Sequence, residues 1–348
     1  MFDSIDDLRV GISYYCNLHC DHCYVPAALR DGYRTDLEPE QLSPEEINSF
    51  MDDLRSGFGL QTVSITGGEA LLAPVWSRTR AVMEHALASG LNVRLMTSGS
   101  GQVKLATIVE LASSAPGKLW FQISLDGTRE EFVNSLRNHK FAFRWATRAI
   151  KECAEQGVRV RVRFTAMDGN TDDTVATYDL ANKLGASSFM VKPVFADGEA
   201  RNDGGMFLTA DSYRDLQYEL VDHSIGRETL LELPQPVYIN PADVPMSANV
   251  KLWERCSCAF ESVYLSPVGD IWPCNYSAGD PQSREQILGN IRDEEFDFDA
   301  MWRSPSSWPA YRQPAKGTCC VSQSLGAATL DDTGRPELVT VSSSYPCV

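Results

Sequence analysis

The chain has no long hydrophobic run. No stretch approaches the twenty or so apolar residues that a membrane-spanning helix needs, and the opening MFDSIDDLRV has neither a basic segment nor the apolar one of an export signal. Both absences point to a soluble, cytoplasmic protein. Positive charge is also scarce: 31 Lys and Arg stand against 47 Asp and Glu, a net charge of −16. Such a surface repels nucleic acid and anionic membranes, so a small-molecule or peptide partner is expected. Internal repeats and low-complexity tracts are lacking too. At 348 residues the chain is long enough for one large domain with a smaller companion.

What the sequence does have is cysteine, ten in all. In a reducing cytosol, clustered thiols are metal ligands sooner than disulfides. Cys16, Cys20 and Cys23 lie within CNLHCDHCY, and Cys256, Cys258, Cys274, Cys319, Cys320 and Cys347 lie towards the other end. Cys153, alone in a helical stretch, reads as a small buried apolar residue.

From residue 8 to about 195, short β-rich apolar runs alternate with longer amphipathic stretches. LRVGISYY, TVSIT, NVRLMTS, LWFQISLD, VRVRVRFTAM and SFMVKPV read as six strands, each separated from the next by a helix. Ser43, Pro44 and Glu46 read as an N-cap, first-turn proline and capping-box acid, and Thr171 or Asp172 as the cap of the helix ending near Gly185. Six β/α units with right-handed crossovers imply a parallel sheet curling into part of a barrel. The expected fold is therefore α/β, a partial (β/α)6 TIM-type barrel over residues 1–196, followed by a bridging segment, 197–250, and a small β-hairpin plus helix domain, 251–348. Such barrels carry their chemistry at the C-terminal ends of the strands. The residues there are Cys16 to Cys23, Gly67-Gly68-Glu69, Thr97-Ser98-Gly99, Asp126-Gly127 and Asp168-Gly169-Asn170.

Three thiols on one loop suit two centres. One is zinc, completed by His19 or His22. The other is an iron–sulfur cubane with one iron left open to an outside ligand. The loop in its setting, with three and then two residues between its cysteines, GGEALL after the second strand and ISLDG after a later one, closely resembles the radical S-adenosylmethionine (radical SAM) enzymes. The resemblance covers residues 8 to about 195. It implies a [4Fe-4S] cluster on Cys16, Cys20 and Cys23 whose open iron chelates S-adenosylmethionine, and cleavage of that cofactor to a 5'-deoxyadenosyl radical that takes a hydrogen atom from the substrate. It implies that Gly67, Gly68 and Glu69 hold the methionine amino group, although Ala70 stands where the family usually has proline. It further places His22 beside the adenosine, Ser98 and Ser124 near the ribose and methionine carboxylate, and Arg137 either at that carboxylate or at a solvated helix end. Asp126 either meets the substrate as a catalytic residue or caps the next helix.

In the C-terminal part, CSCAFESVYLSPVGDIWPC reads as a β-hairpin with its tip at Pro267-Val268-Gly269-Asp270. With LGNIRD and MWRSP after it, this segment resembles the SPASM or twitch extension of radical SAM enzymes, which holds auxiliary [4Fe-4S] clusters. Six thiols are too few for two cubanes, which need about eight. The resemblance thus implies one auxiliary cluster on four of Cys256, Cys258, Cys274, Cys319, Cys320 and Cys347. A structural zinc asks for the same thiolates, and a protein using both cysteine groups for structural zinc is the non-catalytic alternative.

Enzymes of this architecture modify aminocyclitols, sugars, nucleosides, peptides or proteins, drawing electrons from flavodoxin or ferredoxin. Only fifteen residues precede Cys16, whereas peptide-modifying members often begin with a leader-binding domain. The expected substrate is accordingly a small polar intermediate of antibiotic or other secondary metabolism, which the acidic surface suits if it is cationic, with peptide maturation second. Dehydrogenation, epimerisation, elimination and decarboxylation all stay open.

Overall fold

The computed structural model describes residues 2–32, 40–101, 105–195, 197–202, 204–254, 256–279, 281–312, 328–330 and 336–338. The chain forms two compact units: Met1–His19, Tyr24–Phe121 and Ser257–Gln313 make the first, and Cys20–Cys23, Gln122–Cys256 and Pro314–Val348 the second.

In the first unit, β1 (Asp7–Ser13), β2 (Thr62–Gly67) and β3 (Asn92–Thr97) are parallel neighbours. They alternate with the helices α1 (Ala27–Gly32), α2 (Pro44–Phe58), α3 (Ala73–Ala88) and α4 (Leu105–Ser114), and the chain enters the second unit along β4 (Leu119–Ser124). The register explains why these runs are apolar at every second residue. Leu8, Val63 and Val93 form one row across the strands and Val10, Ile65 and Leu95 the next, all six fully buried. On the opposite face the row is Arg9, Ser64 and Arg94, which sequence alternation alone would leave as solvated positions. Asp7 gathers that face: its carboxylate accepts from Ser64 Oγ and Arg94 Nη2, both at 2.5 Å, and from Arg9 Nε at 3.2 Å. Burial alone would raise the Asp7 pKa, but Arg94 and then Arg9 outweigh it and hold the carboxyl below its usual value.

Helix α2 begins as the sequence predicts. Ser43 Oγ accepts from Glu46 N, Glu46 returns the bond to Ser43 N, and the helix ends on Gly59 in the left-handed conformation, φ 71°.

In the second unit, α5 (Glu130–Leu136) and α6 (Ala142–Glu155) lead into β5 (Arg159–Ala166), which runs parallel with β6 (Ser188–Pro193), β7 (Leu230–Leu233) and β8 (Val250–Leu252) in that order; α7 (Thr174–Lys183) lies between β5 and β6 and α8 (Ala210–His223) between β6 and β7. All six predicted strands are present. The segment 197–250 also contributes the parallel strand β7, and β8 follows at its end. Arg161 on β5 makes a bidentate pair with Glu232 on β7, both contacts at 2.8 Å. Helix α7 differs from expectation at its start. A 3-10 turn occupies Thr171–Asp173, and neither Thr171 nor Asp172 caps the helix, whose N-cap Asp173 makes no side-chain cap bond. The Asp173 carboxylate instead accepts from Thr128 N and Thr128 Oγ1, tying down the loop ahead of α5.

The hairpin lies in the first unit. β9 (Ser262–Leu265) joins β1 in parallel, and β10 (Asp270–Trp272) and β11 (Gly289–Asn290) extend it antiparallel. Its turn is where the sequence predicted, with Gly269 at φ 97°. Asn290 of LGNIRD clamps it, donating to Val268 O at 3.0 Å and Asp270 Oδ1 at 2.8 Å. α9 (Phe298–Arg303) and α10 (Pro309–Arg312) follow, and β12 (Ala328–Leu330) pairs antiparallel with β13 (Pro336–Leu338). Trp302 of MWRSP is fully buried and stacks on Phe298. Cys153 is buried on α6, and burial pushes its thiol up to about 11, as suits a residue that only packs. Among the described residues no helix is long and apolar enough to cross a membrane.

Candidate functional site

In the first unit the ends of β1 and β2 are drawn together backbone to backbone. Gly68 N donates to Ser13 O at 2.6 Å and Glu69 N to Tyr15 O at 2.9 Å. Gly67 has φ 126°, and a Cβ on Gly68 would run into the carbonyl of Tyr15, so this approach needs the two glycines. It sets Glu69 immediately beside the stretch that leads into Cys16.

The Glu69 carboxylate is buried, 1% exposed, and oriented by hydrogen-bond donors. Thr97 Oγ1 donates to Oε1 at 2.6 Å and Leu71 N at 3.1 Å, while Ser98 N and Ser98 Oγ donate to Oε2 at 2.9 and 2.6 Å. Ser100 Oγ closes the ring by donating to Asn17 Oδ1 at 2.8 Å, on the cysteine loop itself. Ser98 thus stands beside Glu69 as an orienting hydroxyl. Thr97, Ser100 and Asn17 belong to the same cluster. Thr97 was visible in the sequence only as a strand-end residue, and Asn17 and Ser100 carried no signal beyond their loops. A buried, oriented carboxylate next to glycines without room for side chains is the acceptor chemistry that an ammonium group such as that of methionine requires.

Cys16 ends this stretch; Cys20 and Cys23 belong to the second unit, where Cys23 N donates to Cys20 O at 3.1 Å. All three are half-buried. Among the described residues no three His, Cys, Asp or Glu side chains converge on one metal ion. A cubane does not ask for such convergence, because each thiolate binds a different iron. His19 is exposed.

The second unit builds a separate cluster around Asp126, which is fully buried. Its carboxylate accepts from Arg137 Nη2 and from Thr165 N at 3.1 Å, and His22 Nε2 lies 3.7 Å away. Burial would raise the Asp126 pKa, but Arg137, then His22 and the Thr165 N–H, hold it below the usual range. Burial likewise pushes His22 down to about 4 against the pull of Asp126, so its ring is neutral. The helix-capping role considered for Asp126 falls elsewhere: α5 has Arg129 at its N-cap, with no side-chain bond there. The solvated-cation reading of Arg137 gives way too, since it is 4% exposed and ion-paired. Ser124 is half-buried at the end of β4. Asn170, from the loop after β5, bonds the Asp126 carbonyl at 3.0 Å, a role that sequence reading missed.

Of the C-terminal cysteines, Cys258 and Cys274 are each 2% exposed and flank the hairpin, and Cys256 is half-buried. Cys258 pairs with Ser262 at the start of β9, and Cys274 lies two residues past the Trp272–Tyr264 pair, towards that same end. Two arginines attend Cys258. Arg9 Nη1 donates to its Sγ at 3.1 Å, and Arg312 Nε donates to the adjacent Ala259 carbonyl at 2.9 Å. Arg312 is buried against Trp302 and Trp308, and its Nη2 meets no acceptor among the described residues. Two cations beside a buried thiol fit an anionic metal–thiolate centre. Cys319, Cys320 and Cys347 lie outside the described residues.

Comparison with known proteins agrees with this arrangement. The family model of the Radical SAM superfamily matches residues 10–181, and that of the SPASM iron–sulfur cluster-binding domain matches residues 256–322. The chain is 26% identical over 300 residues to the antilisterial bacteriocin subtilosin biosynthesis protein AlbA of Bacillus subtilis, covering 84% of this chain and 58% of AlbA. It thus spans little more than half of that relative's length. It is 24% identical over 325 residues to the AdoMet-dependent heme synthase of Oleidesulfovibrio alaskensis, covering 87% of this chain and 76% of the synthase. Among solved structures, SuiB of Streptococcus suis bound to its precursor peptide SuiA has the same fold, with a TM-score of 0.67 at 15% identity over 89% of this chain and 67% of SuiB. The chain belongs to the radical SAM superfamily: it has the partial-barrel α/β fold, a [4Fe-4S] and S-adenosylmethionine site, and a SPASM iron–sulfur domain.

Proposed function

We propose that this enzyme abstracts a hydrogen atom from a peptide substrate. The observation that carries the choice of substrate is the AlbA relationship, which runs through both the barrel and the SPASM region, 84% of the chain. SuiB, with a precursor peptide bound in one of its structures, supports the capacity of the fold for such a substrate. The small polar intermediate expected from the sequence finds less support among these relatives.

In this reading Cys16, Cys20 and Cys23 hold the catalytic cluster, and four of the C-terminal cysteines, Cys258 and Cys274 among them, hold one auxiliary cluster. When bound, the catalytic cluster and S-adenosylmethionine would supply the radical chemistry for hydrogen abstraction, with a flavodoxin or ferredoxin as the electron source. The chain's own residues do the rest. Glu69, steadied by Thr97 and Ser98, takes the methionine ammonium. Gly67 and Gly68 allow that group to approach the backbone. Arg137 and Asp126 steady His22 beside Cys23, where the His22 backbone would serve the adenine, and Ser124 would serve the ribose or the carboxylate.

The test follows the abstracted atom. Reconstituted enzyme is incubated anaerobically with S-adenosylmethionine, dithionite and an extract of cells grown in deuterated medium. Deuterium appearing in 5'-deoxyadenosine, and lost when the extract is first digested with protease, supports the peptide reading. Deuterium transfer that survives digestion contradicts it and returns the small-molecule substrate.

A further inference from the structure

One polar network in the first unit lies away from the strand ends where S-adenosylmethionine binds, and no step so far uses it. It begins at Asp7, near the start of β1, where Ser64 and Arg94 fix the carboxylate from β2 and β3. Arg94 is itself packed over the Trp120 ring, 5.2 Å from its centroid. Asp7 in turn holds the Nε of Arg9, and both ends of the Arg9 guanidinium are then spent on one short turn of the SPASM segment: Nη2 on Ser257 Oγ at 2.9 Å and Nη1 on Cys258 Sγ at 3.1 Å. A guanidinium with all three nitrogens placed cannot rotate away from the sulfur. Arg312 grips the other side of the same turn at Ala259 O, which holds the left-handed conformation, φ 63°.

Asp7 faces the guanidinium groups of Arg9 and Arg94, and among the described residues Arg312 donates to the carbonyl oxygens of Ala259 and Ser304 and lies over the rings of Phe2, Trp302 and Trp308. A cluster ligated by thiolates carries net negative charge, and its potential responds to the hydrogen bonds on its sulfurs and to nearby charge.

We propose that Arg9 is a positioning residue of the auxiliary iron–sulfur cluster: its Nη1–H bond to the Cys258 sulfur, locked by Asp7, Ser64 and Arg94, raises the reduction potential of that cluster. The proposal rests on Cys258 being an auxiliary-cluster ligand. A donor on the thiolate stabilises the more negative, reduced state, so the cluster accepts an electron more readily.

The experiment uses the full chain with Cys16, Cys20 and Cys23 changed to Ala, so that only the auxiliary cluster contributes. In that background the parent is compared with Arg9→Gln and Arg9→Lys, each reconstituted anaerobically, with iron and sulfide counted and the midpoint potential read by EPR-monitored titration. The expected result is equal iron in all three, a lower midpoint for Arg9→Gln, and a value between the two for Arg9→Lys, which keeps the cation without the fixed fork. One midpoint shared by all three at equal iron overturns the role of Arg9 while leaving the cluster in place. If the background protein holds no iron and Cys258→Ala changes nothing, the assignment of Cys258 has failed and the proposal with it.

Discussion

Thr97 Oγ1 donates to Glu69 Oε1 across 2.6 Å, joining the end of β3 to the GGE segment after β2 and fixing where that carboxylate points. Hydrogen bonds to a charged group contribute about 1.5–3 kcal/mol, roughly ten- to a hundredfold in affinity. Glu69→Gln should therefore weaken S-adenosylmethionine binding by about that range, and Thr97→Val by about tenfold, the lower end. Equilibrium dialysis on reconstituted protein measures both. An unchanged dissociation constant in Glu69→Gln would remove Glu69 from the site.

Gly68 should tolerate no side chain. In Gly68→Ala the Cβ meets backbone at Tyr15, which cannot step aside without parting the ends of β1 and β2. Loss of S-adenosylmethionine binding and a lower thermal midpoint are expected together. Gly57, whose added Cβ would meet nothing within 4 Å, is the matched control, and Gly57→Ala should leave both unchanged.

The Asp126–Arg137 pair should reveal itself through an asymmetry. Removing one partner of a buried ion pair costs about 3–5 kcal/mol, because the other charge is stranded. Arg137→Met should lose about that much stability in urea unfolding, and adding Asp126→Asn should recover part of it. Additive losses would mean that the two groups do not share a site.

Glu46 gives a dependence on pH. The Arg292 guanidinium, bonded to it at 2.6 and 2.9 Å, holds its carboxyl down to about 2, against an ordinary value near 4.5. With the folded pKa below the unfolded one, the pair stabilises fully above pH 4.5, and its contribution is lost as pH falls towards 2. Both groups are partly exposed, so the effect is about 1 kcal/mol or less. Arg292→Ala should lower stability by that amount at pH 7 and by less and less below pH 4.5, a difference that denaturant titrations at several pH values resolve.

The strands of the barrel were legible because each is bounded by turn residues and buries alternate Val, Ile and Leu, as Leu8, Val63 and Val93 do in one row. β7 and β8 were not, because four and three residues are too few to display a period. The cysteine spacing and GGE were legible as chemistry; the residues that hold them were not. Thr97, Ser100 and Asn17 converge on Glu69 from segments up to 83 residues apart. Arg9 and Cys258 lie 249 residues apart, and nothing local in DLRVGIS marks its arginine as facing a thiol. The cap expected at Thr171 or Asp172 was misread because Asp173, which stands at the N-cap, spends its carboxylate on a loop 45 residues away.

The most direct test counts iron and sulfide in anaerobically reconstituted protein, adds dithionite and S-adenosylmethionine, and measures 5'-deoxyadenosine beside a variant with Cys16, Cys20 and Cys23 changed to Ala. The account predicts about eight irons in the parent and about four in the variant, one cubane each for the barrel and the SPASM domain, with 5'-deoxyadenosine formed by the parent alone. A colourless protein that retains zinc and forms no 5'-deoxyadenosine would contradict it.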